Sequence, residues 1–299
     1  MTEFRPGRFQ ILPPVVKNLI IINSIIVFAQ FVLGKFGIDI ADYFGLHYWK
    51  SHYAHFWQYF THMFLHGSYN DINGSIMHLF SNMFALWMFG SILENVWGPK
   101  KFITFYLVCG LGAAVLHMGV LAYEYSTIQQ AFNDYQHNPT LDQYNLFLRQ
   151  RADLSPGNPL SIQLYQIQQA WNNLPSQDLS NESISAINQY LNGANIRIGA
   201  NETRYFEGIY DEATVGASGA VFGILFAFGY LFPNTLLYLY FLVPIKAKYV
   251  VAAYALFELY AGIQNSAGDN VAHFAHLGGM LVGFILLKIW SKQNRRDFY

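Results

Sequence analysis

Long stretches free of Asp, Glu, Lys and Arg dominate the chain, at 18–34, 72–93, 102–123, 213–245 and 270–287. A helix rises about 1.5 Å per residue, so about 20 apolar residues cross a hydrocarbon layer of about 30 Å. The pattern predicts helices near 18–36, 73–93, 101–122, 215–232, 248–263 and 271–290, with Glu258 interrupting the fifth. The runs are too long for strands and lack period-2 alternation, so no strand is expected. The expected fold class is an all-α membrane protein built from six transmembrane helices.

Between the third and fourth helices the pattern changes. Residues 124–212 are polar, rich in Gln and Asn, and carry ten acids against four bases. Asn138-Pro139, Ser155-Pro156-Gly157 and Leu174-Pro175 are turn signals. Apolar positions at Ile162, Tyr165 and Ile167 to Trp171, then Ile184, Ile187 and Leu191, fit short amphipathic helices. A structureless loop of this length is unusual in a compact domain, so a small helical insertion is expected. The chain divides into a terminal segment 1–17, membrane helices one to three over 18–123, the insertion over 124–212, helices four to six over 213–290, and a tail over 291–299.

Composition agrees with the pattern. Hydrophobic residues make up 53% and charged residues 12%, against about 25% charged in an ordinary soluble domain. The net charge of −1 provides no basic field for a phosphate backbone, so nucleic acid is not an expected partner. The single cysteine, Cys109, excludes an intrachain disulfide and CxxC sites. The first apolar run follows Arg5, Arg8 and Lys17 and is long enough to span, unlike a cleaved signal peptide. Eleven of the 17 basic residues fall in short segments on one side of the helices: Arg5, Arg8, Lys17, Lys100, Lys101, Lys246, Lys248, Lys288, Lys292, Arg295 and Arg296. By the positive-inside rule both termini are cytoplasmic and the insertion is extracytoplasmic. The expectation is an integral protein of a bacterial inner (plasma) membrane, with the lipid bilayer as its solvent.

Polar residues inside such helices are costly and therefore informative. His78 and Asn82 lie at i and i+4, on one face of helix two. Helix four opens with Gly216-Ala217-Ser218-Gly219, and helix six with His273-Phe274-Ala275-His276-Leu277-Gly278-Gly279. All three helices run inward from the outside, which places Ser218, His276, His78 and Asn82 roughly 5–14 Å below the outer surface. Gly219 and Gly223 on helix four, and Gly279 and Gly283 on helix six, are small-xxx-small pairs that let helices approach closely.

A serine hydroxyl becomes a useful nucleophile when a neighbouring imidazole takes its proton. His276 is placed to accept the Ser218 proton and return it to a leaving amine. The Asn82 amide, the His78 ring and the Ser218 backbone N–H are candidate donors to the oxyanion. No acidic third member is evident at this depth. Asp269 precedes His276 but lies on a loop, so the expected machinery is a dyad. Taken singly, GxSG reads as helix packing and HxxxN as an interhelical hydrogen bond. The shared depth and side favour the chemical reading.

With these motifs in hand, the chain resembles the rhomboid intramembrane serine proteases. The resemblance rests on Gly216-Ala217-Ser218-Gly219, Ala275-His276-Leu277-Gly278-Gly279, His78-Leu79-Phe80-Ser81-Asn82 and the preceding Phe60-Thr61-His62-Met63-Phe64-Leu65-His66. It covers about 15–123 and 213–292 and leaves out the polar insertion. It implies a six-helix bundle that cleaves peptide bonds in or beside transmembrane segments of other proteins, without metal or cofactor. By position, it implies Ser218 as nucleophile, His276 as base, and His78 and Asn82 in the oxyanion hole. Gly216, Gly219, Phe222 and Gly279 would pack the active site. A small residue before the cleaved bond is also implied. The chain departs from the family pattern in the long insertion, in the separation of His66 from His78, and in Phe222, where some relatives carry tyrosine. An extra turn ahead of helix two is the expected result of that separation.

Other residues carry weaker signals. His47, His52, His55, His62 and His66 precede helix two, but their spacing fits no compact ligand set. Neighbouring Trp49, Tyr53, Phe56, Trp57 and Tyr59 favour interfacial anchoring. His273 lies one turn before His276 and lines the same expected cavity without being the base. Glu258 reads as a snorkelling residue or a gate hydrogen bond, and Trp97-Gly98-Pro99-Lys100-Lys101 as a cytoplasmic turn. The main rival reading is a non-catalytic membrane protein that binds transmembrane segments. A polar-cavity transporter is disfavoured by the lack of further paired intramembrane charges and of an inverted repeat.

Overall fold

The computed structural model describes residues 9–137, 211–239, 243–264 and 271–296. Helix α1 (Pro14–Gly34) is followed by a loop holding α2 (Ala41–Phe44), α3 (Gln58–Thr61) and a 3-10 turn, His62–Phe64. Helix α4 (Ile72–Ala85) continues through a π turn, Leu86–Gly90, into α5 (Ser91–Trp97). Then come α6 (Pro99–His137), α7 (Ser218–Leu231), strands β1 (Leu236–Leu239) and β2 (Val243–Lys246), α8 (Ala247–Gln264) and α9 (His273–Arg296).

Four stretches are long and apolar enough to cross a membrane: Pro14–Gly34, Ile72–Trp97, Pro99–Ala131 and His273–Lys292. Helix α7 is apolar but shorter. Ile25, Phe28, Phe80, Val115, Leu256 and Ile263 are all exposed on the helix surfaces. So much apolar surface facing outward is what a lipid solvent permits and water does not.

Helices α6, α7 and α9 form the centre. Phe102, Phe105, Tyr106 and Cys109 of α6 pack with Ala220, Ile224, Ala227 and Phe228 of α7 and Leu287 of α9. The glycine pairs anticipated from sequence lie at this contact. A Cβ on Gly279 would collide with the Gly219 backbone. One on Gly223 would press on the Cys109 side chain at 2.7 Å and the Gly279 carbonyl at 3.0 Å. Backbone meets backbone here, which requires residues without side chains.

At the opposite end from Ser218 the helices are tied by polar contacts. Both carboxylate oxygens of Glu94 accept from the first turn of α1, at 3.0 Å from Val15 N–H and 2.9 Å from Val16 N–H. Gly98, with φ +79°, makes the turn between α5 and α6. The Lys101 ammonium lies 4.4 Å from the Trp290 ring centre.

The helical class holds, with one correction: the expectation of no strands fails at 236–246. There β1 and β2 pair antiparallel, from Leu236 opposite Lys246 to Leu239 opposite Val243. Pro233 cannot continue α7, and the following continuous apolar run has no periodicity to separate strand from buried helix. Helix α6 also extends past its predicted end to His137, because no Gly or Pro interrupts residues 120–138. It therefore takes up the first part of the expected insertion. The predicted turns at Asn138-Pro139, Ser155-Pro156-Gly157 and Leu174-Pro175, and the amphipathic helices, lie outside the described residues.

Candidate active site

Ser218 is the first residue of α7. The turn before it depends on Gly216, whose φ of +134° is a conformation side chains rarely adopt. A Cβ there would also press on the His78 ring at 3.0 Å. The Gly216 N–H donates to the His62 carbonyl at 2.9 Å. Thr214 pairs with Leu46 in an isolated bridge, and its Oγ1 lies 2.9 Å from His117 Nε2. The loop containing Phe60 to His66 thus holds the backbone that presents Ser218.

Helix α9 brings His276 to the serine, with Nε2 2.8 Å from Ser218 Oγ. Phe222, one turn along α7, stacks on the imidazole with ring centres 4.1 Å apart and planes 4° from parallel. On the other side of the ring, Nδ1 is 2.9 Å from Glu258 Oε2. The same oxygen lies 2.7 Å from His273 Nδ1. A carboxylate only accepts hydrogen bonds, so both Nδ1 atoms carry the donated proton. His276 then keeps its Nε2 lone pair, and the Ser218 hydroxyl donates to it.

This arrangement departs from the sequence reading of a dyad without an acidic partner. Glu258 is 3% exposed, so it does not snorkel, and Asp269 lies outside the described residues. An acid in an apolar helix is itself a signal of a partner. Nothing local to α8 says which helix supplies that partner.

Helix α4 starts at Ile72, with the Asp71 side chain accepting from the Gly74 N–H at 2.9 Å. Between His66 and α4 the chain turns at Gly67, φ +65°. His78 faces the Gly216 turn, and its ring meets His66 edge-on at 5.0 Å. Asn82, one turn on, is buried, and its Nδ2 has no acceptor among the described residues. A buried amide with no protein acceptor calls for a functional account. His62 and His66, in the loop before α4, are driven by burial below the usual histidine range, to about 4 and about 3.

The five early histidines do not converge. His47 Nδ1 donates to the Gly45 carbonyl at 3.0 Å and His62 Nδ1 to the Gln58 carbonyl at 2.8 Å. His55 stacks on Trp57 at 4.2 Å. Among the described residues, the one group of three or more His, Cys, Asp and Glu side chains close enough to share an ion is Glu258, His273 and His276.

Two comparisons bear on identity. The Rhomboid domain family model matches residues 53–129 and 188–293, together more than half of the chain. A comparison with curated proteins finds no match. The matched segments hold the whole cluster, from His62 and His66 through His78 and Asn82 to Ser218, Glu258, His273 and His276. Together with the membrane-length apolar helices, the match makes this an integral membrane protein, and the chain belongs to the rhomboid family.

Proposed function

We propose that the protein is an intramembrane serine endopeptidase that hydrolyses peptide bonds in or next to transmembrane segments of other membrane proteins. The observation that carries this reading is the 2.8 Å contact between Ser218 Oγ and His276 Nε2, made across two helices whose glycines permit their close approach. In the proposed reaction Ser218 attacks the peptide carbonyl while His276 takes its proton. The oxyanion accepts from the unpaired Asn82 amide, the His78 ring and the Ser218 N–H. His276 then returns the proton to the leaving amine, and water repeats the sequence on the acyl-enzyme. Glu258 holds the His276 ring in the tautomer this requires. Helical carbonyls are already paired, so the substrate must unwind where it is cut, and helix-breaking residues are expected there.

In this reading six helical segments span the bilayer: α1, the α4–α5 unit, α6, α7, α8 and α9. Both termini are cytoplasmic, the insertion is extracytoplasmic, and the cleft opens outward to water. A bacterial inner membrane fits the basic segments. The rival reading, a non-catalytic protein that binds transmembrane segments, gives the serine–imidazole contact no role.

The test is reconstitution of the full chain with a labelled transmembrane substrate. Wild type should cleave it, and Ser218→Ala and His276→Ala should not. Cleavage that survives Ser218→Ala, or that a chelator abolishes, would overturn the assignment.

A further inference from the structure

Glu258, His273 and His276 have a second chemical capability that hydrolysis does not use. Zinc, cobalt and nickel suit a set of two imidazole nitrogens and one carboxylate oxygen, whereas magnesium and calcium prefer oxygen ligands. His273 and His276 are three residues apart on one face of α9, and Glu258 comes from α8. Both Nδ1 atoms point at one carboxylate oxygen, at 2.7 and 2.9 Å, and the donor atoms all lie within 4.8 Å of one another. Zinc bonds of about 2.0–2.1 Å in a tetrahedron put ligand atoms roughly 3.3 Å apart. The two nitrogen–oxygen separations therefore need to open by about half an ångström, and the two nitrogens, at most 4.8 Å apart, to close toward the same spacing. Glu258 is 3% exposed, and the two imidazoles are the partners its carboxylate has among the described residues.

We propose that these three side chains form a binding site for a zinc-type divalent cation, and that filling it switches hydrolysis off. The switching half rests on the serine-protease reading; the binding half does not. Without metal, His276 Nδ1–H donates to Glu258 and Nε2 accepts the serine proton. A metal at Nδ1 takes that nitrogen's lone pair, and the proton of the neutral ring then resides on Nε2. A protonated Nε2 donates to Ser218 Oγ and cannot accept from it, so the nucleophile is not activated. Each ring exchanges one tautomer for the other, and no proton is gained or lost. Three protein ligands leave a fourth position for water, and the Ser218 and Phe222 contacts keep the His276 ring oriented while the ion is bound.

Binding is read first, without catalysis. Full-length Ser218→Ala in detergent is titrated with Co2+ and followed by visible absorption. A ligand-field band should appear, be displaced by Zn2+, and be lost when His273→Ala or Glu258→Gln is added. Gel filtration confirms that each variant is folded, and His273→Gln serves if the alanine variant aggregates. Cleavage by the serine-bearing protein is measured in parallel. Zn2+ should lower the rate on the order of 10²-fold or more, the usual contribution of a positioned base. EDTA should restore the rate, and Mg2+ should have no effect. His273→Ala, referred to its own metal-free rate, should resist Zn2+. Absence of the band, its persistence in both added variants, or equal zinc inhibition of His273→Ala overturns the site. A band lost in both added variants, beside cleavage that does not need Ser218, keeps the site and defeats the protease reading.

Discussion

At the scale of single residues, the tautomer of His276 is decided by Glu258. Glutamine at that position can turn its NH2 toward Nδ1, which moves the ring proton to Nε2 and removes the base. Glu258→Gln should therefore lower kcat on the order of 10²–10⁴-fold with little change in KM, and Glu258→Asp should recover part of the loss. A Glu258→Gln enzyme within about threefold of wild type in kcat would reduce the carboxylate to packing. Burial makes a different prediction for His62 and His66. Their folded pKa values, about 4 and about 3, lie below the ordinary 6.5. Between these limits the unfolded chain binds more protons than the folded one. Stability is then fully present above about pH 6.5 and falls as pH drops toward 4, by roughly 1.4 kcal/mol per unit per histidine. Thermal melts in detergent should show that fall, and His62→Asn should remove one histidine's share of it; an unchanged slope would contradict the assignment. What the sequence made legible follows the same division. Ser218, His276, His78 and Asn82 announce themselves through spacing and depth within their own helices. The partners of Glu258 lie on another helix, and no periodicity encodes that contact.

At the scale of elements, the approach of α7 to α9 sets the serine–imidazole distance. Gly279→Ala places a methyl group against the Gly219 backbone. The helices must then separate, at a cost of about 1–3 kcal/mol for an overpacked contact. Gly119 on α6 is the control, since a Cβ there meets nothing within 4 Å, and alanine favours a helix by up to about 1 kcal/mol. Gly119→Ala should hold or raise the melting temperature, while Gly279→Ala should lower it and slow cleavage. Equal melting temperatures would show that the contact has room to spare. The small-xxx-small pairs were readable because their meaning is local to each helix. The β1–β2 pairing was not: Leu236 to Ile245 is uniformly apolar, and antiparallel pairing leaves no mark in such a run. The far end of α6 was missed for a related reason, since polar residues alone do not stop a helix.

At the scale of the whole molecule, the orientation in the bilayer decides which water the cleft meets. The proposed reaction needs water on the side that carries the insertion, with the clustered basic residues on the other side. Cys109, the only cysteine in the chain, has no exposed surface and is covered by the α7 contact at Gly223. The protein is therefore a clean background for single engineered cysteines. Ser180→Cys in the insertion should react with a membrane-impermeant maleimide on intact cells. Lys100→Cys, beside the Gly98 turn, should react only after the membrane is opened, and the parent protein should stay unlabelled in both conditions. Labelling of Lys100→Cys from outside, with Ser180→Cys protected, would turn the cleft toward the cytoplasm. Substrates would then be cut near the inner leaflet, and the basic segments would need another explanation.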